Sequence, residues 1–392
     1  MTSEGPISRR AARRARARRR RRRNTAVGLS VVVVAAVATG WAVLGRGGSP
    51  AGAAATPRTT ATGAPSGPAT ASATAAGAAH EPSGTITLAF AGDVHFTDRT
   101  ANRLGTDPAL GPMSQALGAA DFSMVNLETA ITTRGTPQPK KFHFRTSPDA
   151  LGALQRSGID AVTMANNHAV DYGPQGLTDS LAAQRDSPIP VVGIGPDDTA
   201  AYRPYVTTVN GVRLAVVAAS QVQDYTNQVF RAGPGRPGIA SALDRPKLLA
   251  AVRDARKQAD VVVVYLHWGT EGQNCPGPEQ KSIAADLSAA GATAVVGTHA
   301  HVMLGSGMLG PTYVAYGFGN FLWYGSSPYP HSDQTGVTTL TVTGGKVAKA
   351  VFTPALVDGH GVPEPQTGAA GRTITDRYEG LRGCTGLKAP PN

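Results

Sequence analysis

The chain has 392 residues, a formal net charge of +11 and two cysteines. The charge is local: residues 1–24 hold eleven arginines and one acid, Glu4, a net +10 that leaves only +1 for everything after. That balance excludes a broadly basic, nucleic-acid-binding surface, and the length allows one large domain with a substantial core.

The arginine-rich segment 1–24 abuts Thr25–Gly45, twenty-one residues without a charge. As a helix this stretch is about 30 Å long, the thickness of a bilayer core. Arginines before the span and few after it place the N-terminus in the cytoplasm and the rest outside. The span is longer than a secretory h-region, and the small residues Ala53-Ala54-Ala55 lie well past its end. The reading is therefore a retained single-pass anchor in the cell membrane, with a cleaved signal as the alternative. Residues 46–84 are almost wholly Ala, Thr, Gly, Pro and Ser, and past Arg46 hold no Val, Ile, Leu, Met or aromatic residue. They cannot bury enough apolar area to offset ordering entropy, so a disordered linker is expected.

From residue 85 to 384 an extracytoplasmic domain is expected, with a short tail over 385–392. Apolar runs predict strands at Thr85–Ala91, Phe122–Val125, Ala161–Met164, Pro190–Ile194, Arg213–Ala219, Val261–Leu266, Ala294–Val296 and Thr312–Ala315. Most are continuous, as in strands covered on both faces. Helical spacing between them aligns Leu110 with Met113 and Leu117, Leu177 with Leu181, Leu248 and Leu249 with Val252, and Ile283 with Leu287 in a helix over 278–290. Such alternation predicts an α/β fold. Gly344-Gly345 joins 336–343 to 346–353 as a tight hairpin, adding antiparallel character. The architecture expected is two mixed sheets packed face to face with helices outside. Cys275 and Cys384 both lie on the outer side, where disulfides persist, and a bridge would pin the C-terminal tail beside the loop after His267-Trp268. No CxxC motif and no nucleotide-binding Gly-x-x-x-x-Gly-Lys loop is present.

Short polar clusters follow the apolar runs: Asp93-Val-His95, Asn126-Leu-Glu128, Asn166-Asn167-His168, His267-Trp268 and His299-Ala-His301. Carboxyl ends of strands form the usual ligand crevice of α/β domains, so clusters far apart in sequence can converge at one rim. Imidazole mixed with carboxylate and amide oxygen binds divalent transition metals, with Mn, Fe or Zn preferred over Mg or Ca. Each histidine alone is more often a satisfied structural side chain; the shared order of the clusters favours ligation.

These residues in this order resemble the calcineurin-like metallophosphoesterases, and more closely the bacterial capsule-synthesis, poly-gamma-glutamate biosynthesis or CapA-type family. The marks are Ala91-Gly-Asp-Val, Val125-Asn-Leu-Glu-Thr129, Asn166-Asn-His-Ala-Val-Asp171, His267-Trp-Gly-Thr-Glu271, Gly297-Thr-His-Ala-His301 and Tyr316-Gly-Phe-Gly-Asn-Phe321. The resemblance implies a metallophosphatase-like sandwich holding two divalent metals. One would take Asp93, His95, Glu128 and His301; the other Asn167, His267 and His299, sharing Glu128. His168 would protonate the leaving oxygen. Two sequence features depart from the pattern: the bridging residue is Glu128 rather than an Asp, and Ala300 stands where the capsule family often has Pro. Lys140, Lys141 and Arg145 are candidates for an anionic substrate, Asp171 for orienting an imidazole, Glu271 for orienting a ligand or binding substrate, and Asn320 for lining the pocket or capping a turn. Asn166 reads as a structural hydrogen-bonding neighbour. The implied role is metal-dependent hydrolysis in making, releasing or attaching an extracellular anionic polymer, together with its membrane synthesis machinery. A non-catalytic accessory that binds polymer, and an amidase or peptidase on the same metals, are the alternatives.

Overall fold

The computed structural model of the chain describes residues 84–325 and 328–391. The expected arginine-rich segment, membrane span and most of the linker lie outside them. Among the described residues no helix is long and apolar enough to cross a membrane.

The strands in chain order are β1 (Thr85–Val94), β2 (Phe122–Leu127), β3 (Ala130–Ile131), β4 (Arg145–Thr146), β5 (Ala161–Thr163), β6 (Val191–Val192), β7 (Ile194–Gly195), β8 (Tyr205–Val209) and β9 (Val212–Ser220). They continue as β10 (Gly238–Ile239), β11 (Val261–His267), β12 (Ala294–Thr298), β13 (Met303–Leu309), β14 (Thr312–Phe318), β15 (Asn320–Leu322), β16 (Gln334–Thr343), β17 (Lys346–Val357) and β18 (Pro363–Pro365). An eight-stranded sheet runs β18-β17-β16-β1-β2-β5-β6, with β15 also on β1. A six-stranded sheet runs β13-β14-β12-β11-β9-β8. Both are mixed. Parallel pairs join β1, β2, β5 and β6 in the first and β9, β11, β12 and β14 in the second; antiparallel strands extend the first sheet on the far side of β1 and close both edges of the second.

Period-two alternation explains the layers. Ile86, Leu88 and Phe90 of β1 share one buried cluster with Val212, Leu214 and Val216 of β9 and Val261, Val263 and Tyr265 of β11. This cluster lies between the sheets. The alternate residues go outward. Ala89 and Ala91 pack with Leu151, Leu154 and Leu177, and Val262, Val264 and Leu266 pack with Leu248, Val252, Ile283 and Leu287. The helices Asp149–Arg156 and Gly173–Asp186 cover the first sheet, and Arg245–Gln258 and Pro278–Ala289 cover the second. Strands sandwiched this way must be apolar throughout, which is why they read as unbroken runs.

The structure differs from the sequence reading in places. The run 190–194 divides into β6 and β7 at Gly193, whose φ is +87°. The stretch holding Leu110, Met113 and Leu117 is a 3-10 turn, Gly111–Met113, followed by a short helix, Ser114–Ala119. Strands β13, β15 and β18 and the helix Gly368–Gly380 carry no clear sequence signal, whereas β8, Tyr-Val-Thr-Thr-Val before the turn Asn210-Gly211, has one that the sequence reading passes over. Cys275 and Cys384 are joined in a disulfide, tying the tail to the loop after β11.

Candidate metal centre

Parallel pairing brings the polar clusters to one rim. Register sets Asp93 at the end of β1 opposite Asn126 of β2 on one side and Asn320 of β15 on the other. In the second sheet His267 ends β11 opposite Thr298 of β12. His299 and His301 follow on a turn with φ of +95° and +56°. Non-glycine residues adopt positive φ only where surrounding contacts hold them there, and such strain clusters at functional sites. One such contact is visible: the His299 amide donates to Asp93 Oδ2 at 3.1 Å, linking the two sheets.

Asp93, Glu128, His267, His299 and His301 are buried. Three sets of ligand atoms lie within 4.8 Å of one another: Glu128 with His267 and His299, Asp93 with Glu128 and His301, and Glu271 with His299 and His301. Glu128 belongs to two of them. Both its carboxylate oxygens are buried without a hydrogen-bond partner, as is His299 Nδ1. Unpaired buried acceptors of this kind are costly unless a cation or proton meets them. The donor set therefore fits divalent metal.

Supporting contacts orient these side chains. Asn126 Nδ2 donates to Asp93 Oδ1 at 2.8 Å and lies 3.2 Å from His267 Nδ1. His267 Nδ1 is also 3.0 Å from Thr298 Oγ1, while Nε2 lies 2.8 Å from Asn167 Oδ1 and 3.4 Å from Glu128 Oε1. His301 Nδ1 meets Asn320 Oδ1 at 2.9 Å, which leaves Nε2 available to the site. Imidazole ligands are held in the correct tautomer by such partners on the other nitrogen. Asn166 donates to Asn126 Oδ1 and to the Leu127 carbonyl, both at 2.9 Å, and so joins the loop after β5 to β2.

His168 sits beside this set. Its Nδ1 is 2.7 Å from Asp171 Oδ2, and its Nε2 is 3.9 Å from Glu128 Oε1. Lys140 Nζ pairs with Asp171 Oδ1 at 2.7 Å and donates to the Asn167 carbonyl at 2.6 Å. Lys140 is thus folded inward as a strut, while Lys141 stays exposed over the Phe142 ring and Arg145 stacks on Tyr172. Each of the three cations thus has its own partner within the chain. His95 is set apart. Its ring stacks on Phe144 at 4.5 Å and meets Trp323 and Tyr324 edge-on. It belongs to none of the three sets among the described residues.

Burial dominates the electrostatics. It pushes the Asp93 carboxyl up to about 6, with Glu128 adding to the rise and His267 and His301 opposing it. It raises Glu128 as well. His267 falls to about 4, again first through burial. His95 and His299 are pushed well below the usual imidazole range by burial, reinforced by neighbouring histidines. His168 is lowered by burial against the upward pull of Asp171. At neutral pH these imidazoles are neutral, the form that ligates metal.

Sequence reasoning assigned no role to Asn126, Thr298, Phe144 or Trp323. Asn126 was visible inside Asn-Leu-Glu; the aromatic wall was not, because Phe144 and Trp323 come from loops distant in sequence.

A model of the bacterial capsule synthesis protein family PGA_cap matches residues 87–324, more than half of the chain. The chain belongs to this family. The match spans every metal-set residue of the PGA_cap domain described above. Within it, the PGA biosynthesis protein CapA of Bacillus subtilis is 29% identical over 244 residues, covering 61% of this chain and 63% of that protein. The capsule biosynthesis protein CapA of Bacillus anthracis is 26% identical over 251 residues, covering 62% and 61%. A probable polyglutamine synthesis accessory protein of Mycobacterium tuberculosis is 31% identical over 191 residues, covering 47% and 50%. The chain therefore spans less than two thirds of the length of these PGA_cap relatives. Among solved structures, a phosphatase from Mycoplasma pneumoniae is 15% identical, with a TM-score of 0.45 over 76% of this chain and 99% of that one.

Proposed function

We propose that this PGA_cap chain is a metal-dependent hydrolase held outside the cell membrane by the Thr25–Gly45 anchor. It acts in the synthesis, release or attachment of a capsule or poly-gamma-glutamate-like polymer. One observation carries the hydrolase reading: two sets of imidazole and carboxylate donors share Glu128, whose oxygens have no other hydrogen-bond partner. The names of the two Bacillus relatives support the polymer.

Asp93, Glu128 and His301 would hold one ion, and Glu128, His267 and His299 the other, with Asn167 Oδ1 beside His267. Divalent ions at such a site polarise the target oxygen and make water a nucleophile at neutral pH. The chain supplies the rest. Asp171 holds the proton on His168 Nδ1, so Nε2 is the atom that exchanges a proton with a leaving oxygen. Burial keeps that nitrogen unprotonated at rest, and an anionic substrate alongside raises its affinity for a proton. His95, Phe144, Trp323 and Tyr324 wall one side against water.

The accessory wording attached to the Mycobacterium relative favours a second reading, a surface protein that binds polymer without turnover. The full-length chain in detergent, dialysed against Mn, Fe and Zn, separates the two. Elemental mass spectrometry is expected to find about two metals per chain, fewer in Glu128→Ala. Phosphoester and gamma-glutamyl substrates are then screened with Glu128→Ala as the blank. Cleavage of the gamma-glutamyl substrate alone assigns amidase chemistry, and bound metal with no turnover on either selects the accessory. Absence of bound metal overturns the hydrolase.

A further inference from the structure

The Asp-x-His pattern assigns His95 to the metals, yet its two ring nitrogens are otherwise engaged. The Thr97 amide nitrogen lies 3.2 Å from Nδ1 and the Tyr324 amide nitrogen 3.3 Å from Nε2. A neutral imidazole has one acceptor nitrogen, so one of these two amides takes the ring's single lone pair. Its faces and edges are taken by Phe144, Trp323 and Tyr324.

Glu271 is placed differently. Its carboxylate lies within ligand spacing of His299 and His301 together. His299 also belongs to the set of Glu128 and His267, and His301 to that of Asp93 and Glu128. Glu271 therefore reaches both sets through the histidine pair, as an exposed counterpart to the buried Glu128.

The backbone fixes it there. The Gly272 amide donates to the Ala300 carbonyl at 2.8 Å, so the residue after Glu271 is bonded to the residue between the two histidines. Gly272 has φ +74°, and a Cβ there would lie 2.5 Å from the Tyr329 ring. Only glycine lets the loop pass between Tyr329 and Ala300. The Tyr329 hydroxyl donates to Glu271 Oε2 at 2.6 Å, which orients the carboxylate. Asn274 Nδ2 bonds the Met303 carbonyl at 3.1 Å, and the Cys275–Cys384 disulfide follows.

We propose that Glu271 is a metal ligand, joining His299 and His301 from the solvent side, and that His95 is a wall of the site and not a ligand. The proposal rests on the metal reading above. Its test is a titration of the full-length chain with Mn²⁺ against a chromophoric chelator, and with Co²⁺ followed by its visible spectrum. Glu271→Gln is expected to weaken one of the bound ions at least ~10-fold and to alter the Co²⁺ spectrum, whereas His95→Gln leaves both affinities within ~3-fold. Tyr329→Phe, which frees the carboxylate without removing it, falls between them. Circular dichroism of the metal-free variants checks folding. If His95→Gln does not fold, His95→Phe keeps an aromatic wall while removing both nitrogens. Unchanged affinity in Glu271→Gln, or loss of an ion in the folded His95 variant, overturns the assignment. A parent chain that binds no metal removes the metal reading itself, and this proposal with it.

Discussion

His267 and Asn167 meet across the two sheets, Nε2 2.8 Å from Oδ1, although one ends β11 and the other follows β5. Neither sheet contains the metal set alone; their relative placement creates it. The Tyr265 hydroxyl, donating to the Ala91 carbonyl at 2.6 Å, is a direct tie between the sheets two residues before each cluster. Tyr265→Phe removes that buried bond while keeping the ring. It is expected to lower unfolding free energy by about 1–2 kcal/mol and to weaken metal binding. Urea denaturation and metal titration check the two effects, and wild-type values in both would show that the tie does not set the geometry.

Lys140, Asp171 and His168 form a line in which each end acts on the other through the carboxylate. Removing a partner from a buried ion pair costs about 3–5 kcal/mol, and the 15% exposure of Lys140 discounts this, so Asp171→Asn is expected to cost roughly 2–4 kcal/mol. The two ends also move His168 in opposite directions. Asp171 raises its pKa and Lys140 lowers it. Asp171→Asn should therefore push the imidazole further down, and Lys140→Met should let it rise. Nuclear magnetic resonance titration of the metal-free chain reads both signs, and shifts in the same direction would refute the arrangement.

The elements that sequence made legible are those with one physical cause. Strands β1, β9, β11 and β12 are buried on both faces, so their apolar runs stand out, and each polar cluster follows because a strand ends there. Strand β13 reads Met-Leu-Gly-Ser-Gly-Met-Leu, and its glycines hide it. They are required by the C-terminal tail, since a Cβ on Gly305 would lie 2.5 Å from the Leu381 carbonyl oxygen. That cause is a contact 76 residues away, invisible locally. His95 shows the same limit at the site. Spacing puts it beside Asp93, but only the packing of Phe144, Trp323 and Tyr324 shows where its ring lies.

The metal-free chain should lose stability as pH falls from 7 to 5. Between pH 6.5 and about 4 the unfolded chain protonates His267 while the native one does not, so this part of the stability disappears on acidification. Asp93 works the other way. Its native value of about 6 means the folded chain takes the proton first, a contribution that grows as pH falls below 6. Between pH 7 and 5 the first removes roughly 2 kcal/mol and the second adds roughly 1 kcal/mol, so the two largely offset. The remainder decides the sign: His95, His168 and His299 are all lowered, against Glu128 alone raised. Urea midpoints at pH 7, 6 and 5 measure it, and a midpoint that rises on acidification would contradict the burial of neutral histidines. Saturating metal should steepen the dependence, because protons and metal compete for the same nitrogens.

Breaking the Cys275–Cys384 disulfide is expected to affect stability and the site together. The bridge spans 109 residues, and the chain-entropy model assigns about 4–5 kcal/mol to a loop of that length. The tail it anchors also bonds the second sheet, through reciprocal backbone bonds between Met308 and Lys388, and Lys281 Nζ donates to the Cys384 carbonyl at 2.8 Å. At its other end the bridge steadies the loop that carries Glu271. Cys384→Ser should therefore lower the melting temperature and, separately, weaken metal binding under conditions where the protein is still folded. Reductant added to the wild-type chain should reproduce both changes and leave Cys384→Ser unmoved. A lower melting temperature with unchanged metal affinity would show that the Gly272–Ala300 bond alone suffices to hold Glu271 in place.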